Sequence, residues 1–309
     1  MNVHLPSLAP LHVAVTPALK MSYYEAGGQG DETVVLLHGF PYDIHTFHEV
    51  IPRLTAEGLR VVVPFLRGHG QTRFLRPDTP RSGQQAAIGQ DVVDLMDALD
   101  IDRAILAGWD WGGRAACVAA AAWPERCTGL VSVNSYLIQD ISVAWRPIKA
   151  ELEAGLWYFY YFLTERGRAG LTANRDDIAR VIWIRNSPNW NFDDATFERA
   201  AMAFQNPDFV DVVIHSYRHR LGYAPGEPDY AALENLLATQ PPITVPAVTL
   251  DGTADGNFPA TDGTASAHHF TGPRTHHQVR GAGHNLPQEA PGAFVDAIME
   301  VREMASQPN

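Results

Sequence analysis

The sequence contains little cysteine, and no uncharged apolar stretch in it is long enough to cross a bilayer. Its 309 residues include only two cysteines, Cys117 and Cys127. That is too few for a disulfide framework and favours buried thiols in a reducing compartment. The first twenty residues also lack a basic region followed by an apolar run, so we expect no signal peptide. These absences together predict a cytoplasmic protein.

Clustered positive charge is absent as well. The chain has 23 lysines and arginines against 35 acidic residues, a formal net charge of −12, and no basic stretch. Nucleic acids and anionic membranes are bound by clustered lysine and arginine, so neither is an expected partner. The net negative charge indicates solubility but no particular partner. The sequence does not indicate the oligomeric state.

The composition is that of a protein with a large core. Of the 309 residues, 46% are hydrophobic, which is enough for one large domain with a smaller insertion. Up to about residue 135, strand-like and helix-like segments alternate, as is typical of a mainly parallel sheet covered by helices. The alternation resumes after residue 240, and we predict strands over 19–24, 33–37, 60–64, 103–107, 129–133, 245–250 and 276–279.

Residues 137–240 differ from the rest of the chain. They hold four of the seven tryptophans and six of the ten tyrosines, and they contain no convincing strand. Apolar spacing predicts helices instead, over 147–165, 175–184, 194–204 and 207–220. We therefore predict an α/β core in two parts, residues 1–136 and 241–309, interrupted by a helical cap over residues 137–240.

The most informative motif is Gly108-Trp109-Asp110-Trp111-Gly112, which follows an apolar strand and precedes an alanine-rich helix. It predicts a nucleophile elbow, a sharp strand-to-helix turn that holds its central side chain in a strained conformation. The glycines allow neighbouring backbone to pass closely. Asp110, at the centre, is a carboxylate near neutral pH, so it can displace a leaving group from a saturated carbon without first losing a proton.

Two further candidates lie at predicted strand ends after the cap. Asp255 follows the strand over 245–250 and presents an acid at the strand's carboxyl end. His284 follows the last strand, in the glycine loop Gly281-Ala282-Gly283-His284. The chain order Asp110, Asp255, His284 is the nucleophile, acid and histidine order of hydrolases with a nucleophile elbow.

A third motif, His38-Gly39-Phe40-Pro41, follows the strand over 33–37. The backbone N–H of Phe40, with that of Trp111, can hold a developing oxyanion there. His38 is expected to be a hydrogen-bonding histidine of this loop rather than the base, because His284 fills that role. We place His38, Pro41 and Trp111 among the residues that border the substrate.

These motifs, with Arg67-Gly68-His69-Gly70, resemble those of α/β-hydrolases in the epoxide hydrolase and haloalkane dehalogenase branch over essentially the whole chain. The resemblance implies the α/β-hydrolase fold: a mostly parallel eight-stranded sheet with helices on both faces and an inserted helical cap. It also implies a covalent ester on Asp110, hydrolysed by water that His284 activates while Asp255 orients it. It implies a small apolar organic substrate and water as partners, and no metal or organic cofactor.

Two cap segments favour the epoxide hydrolases within this branch. Those enzymes resemble one another in placing two cap tyrosines over the nucleophile. Tyr158 and Tyr217 match them, with Tyr160 or Tyr161 as replacements for Tyr158. The phenols would hydrogen-bond the epoxide oxygen and protonate it as the ring opens to a vicinal diol. Trp157 and Tyr160 are expected to bind substrate.

Dehalogenation by the same covalent route is an alternative. The Trp111 indole could hold a leaving halide, with a cap residue such as Trp157 as second donor, because Phe40 has no polar group where many haloalkane dehalogenases carry asparagine. Fluoroacetate dehalogenases place an arginine directly after the nucleophile. Here that residue is Trp111, although Arg114 is available for an anion contact. A second alternative is a non-catalytic ligand-binding protein with the same fold.

Other motifs have simpler interpretations. The acids from Asp251 to Asp262 nearly fit a calcium loop, but a strand rather than a helix leads into them, so we predict no metal. Asn134 ends the strand before the cap, where some relatives keep their triad acid. An amide cannot ionise, so the acid role passes to Asp255.

Overall fold

The computed structural model describes residues 8–28 and 32–307. In it the predicted strands all belong to a single sheet. All seven predicted strands are present there, with ends that differ by at most two residues from those predicted. Within the described residues the sheet has nine strands: β1 His12–Val15, β2 Leu19–Ala26, β3 Thr33–Leu37, β4 Arg60–Pro64, β5 Arg73–Phe74, β6 Ala104–Gly108, β7 Cys127–Val133, β8 Ala247–Gly252 and β9 Arg274–Val279.

Eight of these strands lie side by side in the order β1-β2-β4-β3-β6-β7-β8-β9, and the two-residue β5 pairs with β2. Strand β2 is antiparallel to β1, β4 and β5, whereas all pairs from β4 to β9 in this order are parallel. The predicted mostly parallel sheet is therefore confirmed, with β5 as a short ninth strand. The loops after β3, β6, β8 and β9 meet at one edge, since parallel strands share their carboxyl ends.

Twelve α-helices lie in the described part of the chain: α1 Val50–Ala56, α2 Gln85–Ala98, α3 Asp110–Ala122, α4 Ala150–Gly155, α5 Trp157–Leu163, α6 Glu165–Ala173, α7 Arg175–Asn186, α8 Asp194–Ala201, α9 Phe209–Arg220, α10 Ala231–Ala238, α11 Leu286–Glu289 and α12 Pro291–Ser306. Helices α2 and α3 pack together, as do α1 and α12, and both α3 and α12 pack on β7. All residues of β3 and β6 are buried between these layers, as their unbroken apolar sequences require.

Helices α4 to α10 form the insertion between β7 and β8, so the predicted helical insertion is confirmed. Its details differ from the prediction. The helix expected over 147–165 is two helices that meet at Leu156, and α6 and α10 were not predicted. Helix α6 begins where the Thr164 hydroxyl accepts a hydrogen bond from the N–H of Gly167, a cap that periodicity does not reveal. The cap boundaries at residues 137 and 240 stay a prediction.

Both cysteines are buried free thiols. Among the residues that the structure describes, no helix combines the length and the apolar character needed to cross a membrane. The prediction that the chain has no signal peptide concerns its first twenty residues. Of these, residues 1–7 lie outside the described residues.

Candidate active site

Asp110 stands on a strained turn between β6 and α3. Its φ of 52° lies in the left-handed region, which a residue other than glycine adopts only when its surroundings impose it. A Cβ on Gly112 would lie 2.0 Å from the carbonyl oxygen of Leu37, and one on Gly108 would lie 2.5 Å from the Gly112 backbone. Glycine at both positions thus permits the tight turn that lifts the Asp110 carboxylate at the carboxyl edge of the sheet.

The Asp110 carboxylate is held by the loop after β3. Its Oδ1 accepts a 2.7 Å hydrogen bond from the Phe40 N–H, while Oδ2 lies 3.6 Å from Nε2 of His284. Burial by itself raises the pKa of Asp110. The His284 hydrogen bond and charge, with the N–H groups of Phe40 and Trp111, outweigh burial and lower it. Asp110 is therefore an anion with one oxygen bound and the other facing the imidazole.

His284 lies between two carboxylates. Its Nδ1 donates to Oδ2 of Asp255 over 2.9 Å, and Nε2 faces Asp110. The other oxygen of Asp255 accepts hydrogen bonds from the N–H groups of Asn257 and Phe258, at 2.7 and 2.9 Å. Burial lowers the pKa of His284, but the negative charges of Asp255 and Asp110 raise it to about 10. The imidazole is thus protonated at neutral pH.

Asn134 lies beside this acid. At the end of β7, it adopts φ 64°, and its Nδ2 donates to Oδ2 of Asp255 over 3.3 Å. The structure therefore brings the two predicted acid positions together. The ionisable one, Asp255, contacts His284.

Tyr158 and Tyr217 enter from helices α5 and α9 of the insertion and are both buried, with ring centroids 5.5 Å apart. Burial raises both pKa values, and the Asp110 charge raises them further, so both phenols keep their protons. Tyr160 is 43% exposed and Tyr161 packs against Trp157, with ring centroids 5.9 Å apart. Of the three candidate tyrosines on α5, Tyr158 is therefore the one that faces Tyr217.

Two amides contact Tyr158, and the sequence did not reveal them. Asn257 donates from Nδ2 to the Tyr158 hydroxyl over 3.1 Å, and the Asn186 side chain lies beside the same hydroxyl. Asn186 also accepts, through its backbone oxygen, the N–H of His284 at 3.1 Å. The one sequence signal for either amide is that Asn257 lies two residues after Asp255.

His38 is a hydrogen-bonding histidine of the loop after β3, the role expected from its sequence position. The ring is fully buried, Nδ1 donates to the Gly39 carbonyl over 2.9 Å, and Nε2 accepts the Leu66 N–H over 3.1 Å. Burial lowers its pKa to about 3, so it stays neutral. With both nitrogens bound to backbone, His38 supports the loop, and its place among the residues that border the substrate stays a prediction.

The other predicted substrate residues lie at different depths. Trp111 is buried against Phe40, with ring centroids 5.3 Å apart, and its ring lies 6.0 Å from that of Tyr217. Pro41 is buried, and its carbonyl accepts the Trp183 indole N–H over 2.7 Å, so its backbone joins core to cap. Tyr160 lines the outer cleft rather than the centre of the site.

A cleft of about 1220 Å³ lies beside this site, lined mainly by residues of the helical insertion. Its lining includes Phe258, whose ring lies 5.9 Å from the His284 ring, and Phe159, which lies 4.7 Å from the Tyr217 ring. The lining also contains three arginines, Arg114, Arg146 and Arg220, and two acids, Asp140 and Glu153. The lining of the cleft thus includes neighbours of His284 and Tyr217.

The acids of the suspected calcium loop have other partners. Oδ2 of Asp251 accepts hydrogen bonds from the Thr261 N–H and hydroxyl, and Asp255 binds His284. Over residues 8–28 and 32–307, no group of three or more histidine, cysteine or acidic side chains is arranged to hold a metal ion.

Comparison with known proteins defines the class. The sequence model of the alpha/beta hydrolase fold family matches residues 32–291. The chain belongs to this family, as its motifs predicted, and it is an enzyme.

Individual relatives narrow the similarity to one branch. A proposed epoxide hydrolase from Klebsiella pneumoniae, known from its crystal structure, is 44% identical, with a TM-score of 0.94 and coverage of 96% of this chain and 98% of that chain. Epoxide hydrolase A of Mycobacterium tuberculosis is 24% identical, with coverage of 92% and 94%. A haloalkane dehalogenase loop variant from Bradyrhizobium elkanii shares the fold, with a TM-score of 0.76, 21% identity and coverage of 96% and 97%.

Proposed function

We propose that the enzyme opens an epoxide to a vicinal diol through a covalent ester on Asp110. The observation that carries this proposal is the position of Asp110, with His284 and Asp255 on one side and two buried, protonated cap tyrosines on the other. The similarity to epoxide hydrolases supports the same assignment. Residues 137–240 would act as the cap over a small apolar epoxide, with water as second substrate.

In the first step Oδ2 of Asp110 attacks an epoxide carbon. A C–O ester bond forms, the ring C–O bond breaks, and Tyr158 or Tyr217 gives its proton to the departing oxygen. An alkoxide is a stronger base than a phenolate, so a phenol with a raised pKa can still protonate it. The Phe40 N–H keeps Oδ1 in place during the attack.

Loss of the Asp110 charge in the first step allows His284 to act as a base in the second step. Esterification removes the negative charge of Asp110, so the pKa of His284 falls from about 10. His284 can then return a proton to the tyrosinate and become a neutral base. Only Asp255 remains to orient it, through Nδ1.

In the second step His284 takes a proton from water, and the hydroxide attacks the ester carbonyl. The Phe40 and Trp111 N–H groups hold the oxyanion. Collapse breaks the acyl C–O bond, the diol oxygen takes the proton from His284, and the new carboxylic acid of Asp110 returns one to it. The resting ion pair is then restored.

Dehalogenation is a second candidate because the buried Trp111 indole N–H makes no hydrogen bond within the described residues. Such a donor could hold a halide leaving group. Wild-type enzyme should therefore be given styrene oxide and bromobutane separately, with diol and bromide measured. Diol without bromide supports the epoxide hydrolase. Bromide release that depends on Trp111, without diol formation, would replace that proposal.

A variant of His284 tests the covalent route. In His284→Gln, the carboxylate can still attack but the water lacks its base, so the ester should accumulate. Intact-mass spectrometry after mixing with styrene oxide should show one added substrate mass, located by digestion in the peptide that bears Asp110. His277→Gln, changed at an exposed histidine of β9, is the matched control and should accumulate no adduct. Diol release by His284→Gln at the wild-type rate would contradict the proposal.

A further inference from the structure

The half-buried Glu289 binds the backbone on both sides of His284. Its Oε2 accepts the Gly283 N–H over 2.7 Å, and its Oε1 accepts the Asn285 N–H over 3.1 Å. Glu289 ends the one-turn helix α11, so its side chain folds back along that turn to reach the loop after β9. Because each oxygen accepts an N–H, the arrangement suits a carboxylate ion. The backbone is thus held at the residue before the histidine and at the residue after it.

The end of helix α7 binds the same segment from the insertion. The Asn186 carbonyl accepts the His284 N–H over 3.1 Å, and the Ser187 hydroxyl oxygen accepts the Asn285 N–H over 3.2 Å. A Cβ on Gly283 would lie 2.7 Å from the Cα of Ser187, so glycine there permits this close approach. Three consecutive N–H groups of the loop after β9 are therefore bound, and a single carboxylate accepts from two of them.

The imidazole of His284 loses one of its two charged neighbours during the proposed reaction. In the free enzyme Nε2 lies 3.6 Å from Asp110, and Nδ1 binds Asp255 over 2.9 Å. Esterification removes the charge of Asp110, so its attraction for the ring disappears in the state in which His284 must take a proton from water. The position of Nε2 then depends on Asp255 and on the backbone that Glu289 holds. A general base must lie within hydrogen-bond reach of its proton donor, so this support bears on the rate.

We propose that Glu289 is a positioning residue for ester hydrolysis: it holds the backbone of His284 so that Nε2 stays in place after Asp110 loses its charge. This inference rests on the proposed function, because it assigns Glu289 to one of the two steps of the covalent route. Alkylation uses the Asp110 carboxylate and two buried tyrosines, whereas Glu289 binds the loop after β9. The first step should therefore not depend on Glu289. An acid that only stabilised the fold would affect both steps alike.

Glu289→Gln tests the proposal while keeping the shape of the side chain. The amide has one acceptor oxygen, and its NH2 group would face a backbone N–H, so one of the two hydrogen bonds is replaced by a contact between donors. Rapid-quench experiments with styrene oxide measure alkylation of Asp110 and decay of the adduct separately. We expect adduct decay to slow by about tenfold to a hundredfold, the cost of displacing a reacting group by up to about 1 Å, with alkylation unchanged. Glu300→Gln, at an α12 acid that pairs with the exposed His277, is the matched control and should alter neither step.

A milder variant covers the case in which Glu289→Gln does not fold. Ser187→Ala removes one of the two acceptors of the Asn285 N–H. Because Glu289 still accepts that N–H, we expect a smaller slowing of adduct decay and unchanged alkylation. Equal slowing of both steps by a folded variant would overturn the assignment of Glu289. Adduct decay at the wild-type rate in Glu289→Gln, or in Ser187→Ala if only that variant folds, would overturn it as well.

Two further measurements separate the role of Glu289 from the epoxide proposal. If bromobutane forms the adduct and styrene oxide does not, the epoxide assignment fails, and decay of the butyl ester tests Glu289 in the same way. If neither forms an adduct, Asp110→Asn, which has the charge of the ester, supplies the test by NMR. In that background Glu289→Gln should speed the exchange with water of the His284 Nδ1 proton, which is donated to Asp255. Exchange at an unchanged rate would overturn the positioning role.

Discussion

The side-chain amide of Asn134 and Nδ1 of His284 bind the same oxygen, Oδ2 of Asp255, at 3.3 and 2.9 Å. The loop after β8 thus supplies the Asp255 carboxylate that binds the imidazole. The Asn134 amide, which has the same shape but no charge, lies beside it at the end of β7. The ends of β7 and β8 therefore meet at the carboxylate that binds the histidine.

Asp255→Asn should slow ester hydrolysis by roughly ten-thousandfold, as replacement of a triad acid by its amide does. Asn134→Asp in that background should restore part of the rate, because it returns a negative charge beside the imidazole. Single-turnover decay of the Asp110 adduct measures both rates. A nearly silent Asp255→Asn variant would show that another acid serves His284.

Asp110→Asn should lower the pKa of His284 from about 10, because it removes one of the two charges that raise it. The variant has the charge of the ester and therefore reports the state in which His284 must act as a base. An NMR titration of the His284 ring gives the value directly. An unchanged pKa would mean that esterification does not convert His284 into a base.

The Tyr158→Phe and Tyr217→Phe double variant should alkylate Asp110 with epoxides far more slowly, since one general acid contributes roughly a hundredfold or more. Ester hydrolysis should be nearly unchanged, because that step uses His284 and Asp255. Rapid-quench measurement of both steps separates the effects. Tyr160→Phe, at an exposed tyrosine, is the control. Equal slowing of both steps would point to a general disturbance of the cap.

Asn257→Asp should slow alkylation more than Asn257→Ala does, although aspartate is closer in size. The Asn257 amide donates to the Tyr158 hydroxyl and leaves the phenol hydrogen free for the epoxide. An aspartate would accept that hydrogen instead. Alkylation rates of the two variants decide the point. If the alanine variant is the slower one, Asn257 acts through packing.

The pairing of His284 should stabilise the fold in a pH-dependent manner. Its pKa is raised from 6.5 to about 10 on folding, so the stabilisation is complete below about pH 6.5 and is lost as the pH rises through 10. The difference in unfolding free energy between wild type and His284→Gln should shrink over that interval. Denaturant titrations at several pH values measure it, with His277→Gln as control. A difference that is constant with pH would contradict the charged pairing.

The sequence by itself determined the features that depend on neighbouring residues. The bounds of β3 and β4 follow from short apolar runs, and the elbow follows from glycines on either side of Asp110. The motifs at His38, Arg67, Asp110 and His284, in this order along the chain, were sufficient to predict the family and fold, which comparison confirmed. Short-range patterns predict these features because a turn or buried strand is dictated by the residues within it.

The tertiary structure alone decided which side chains meet across the cleft. Only packing distinguishes Tyr158 from Tyr160, because a helix of aromatic residues has no sequence signal for the face that is buried. The break at Leu156 and the placing of Arg220 beside Arg114 likewise depend on how the cap helices rest on the core. Such contacts join residues far apart in the chain, so their energies appear only once the layers have packed.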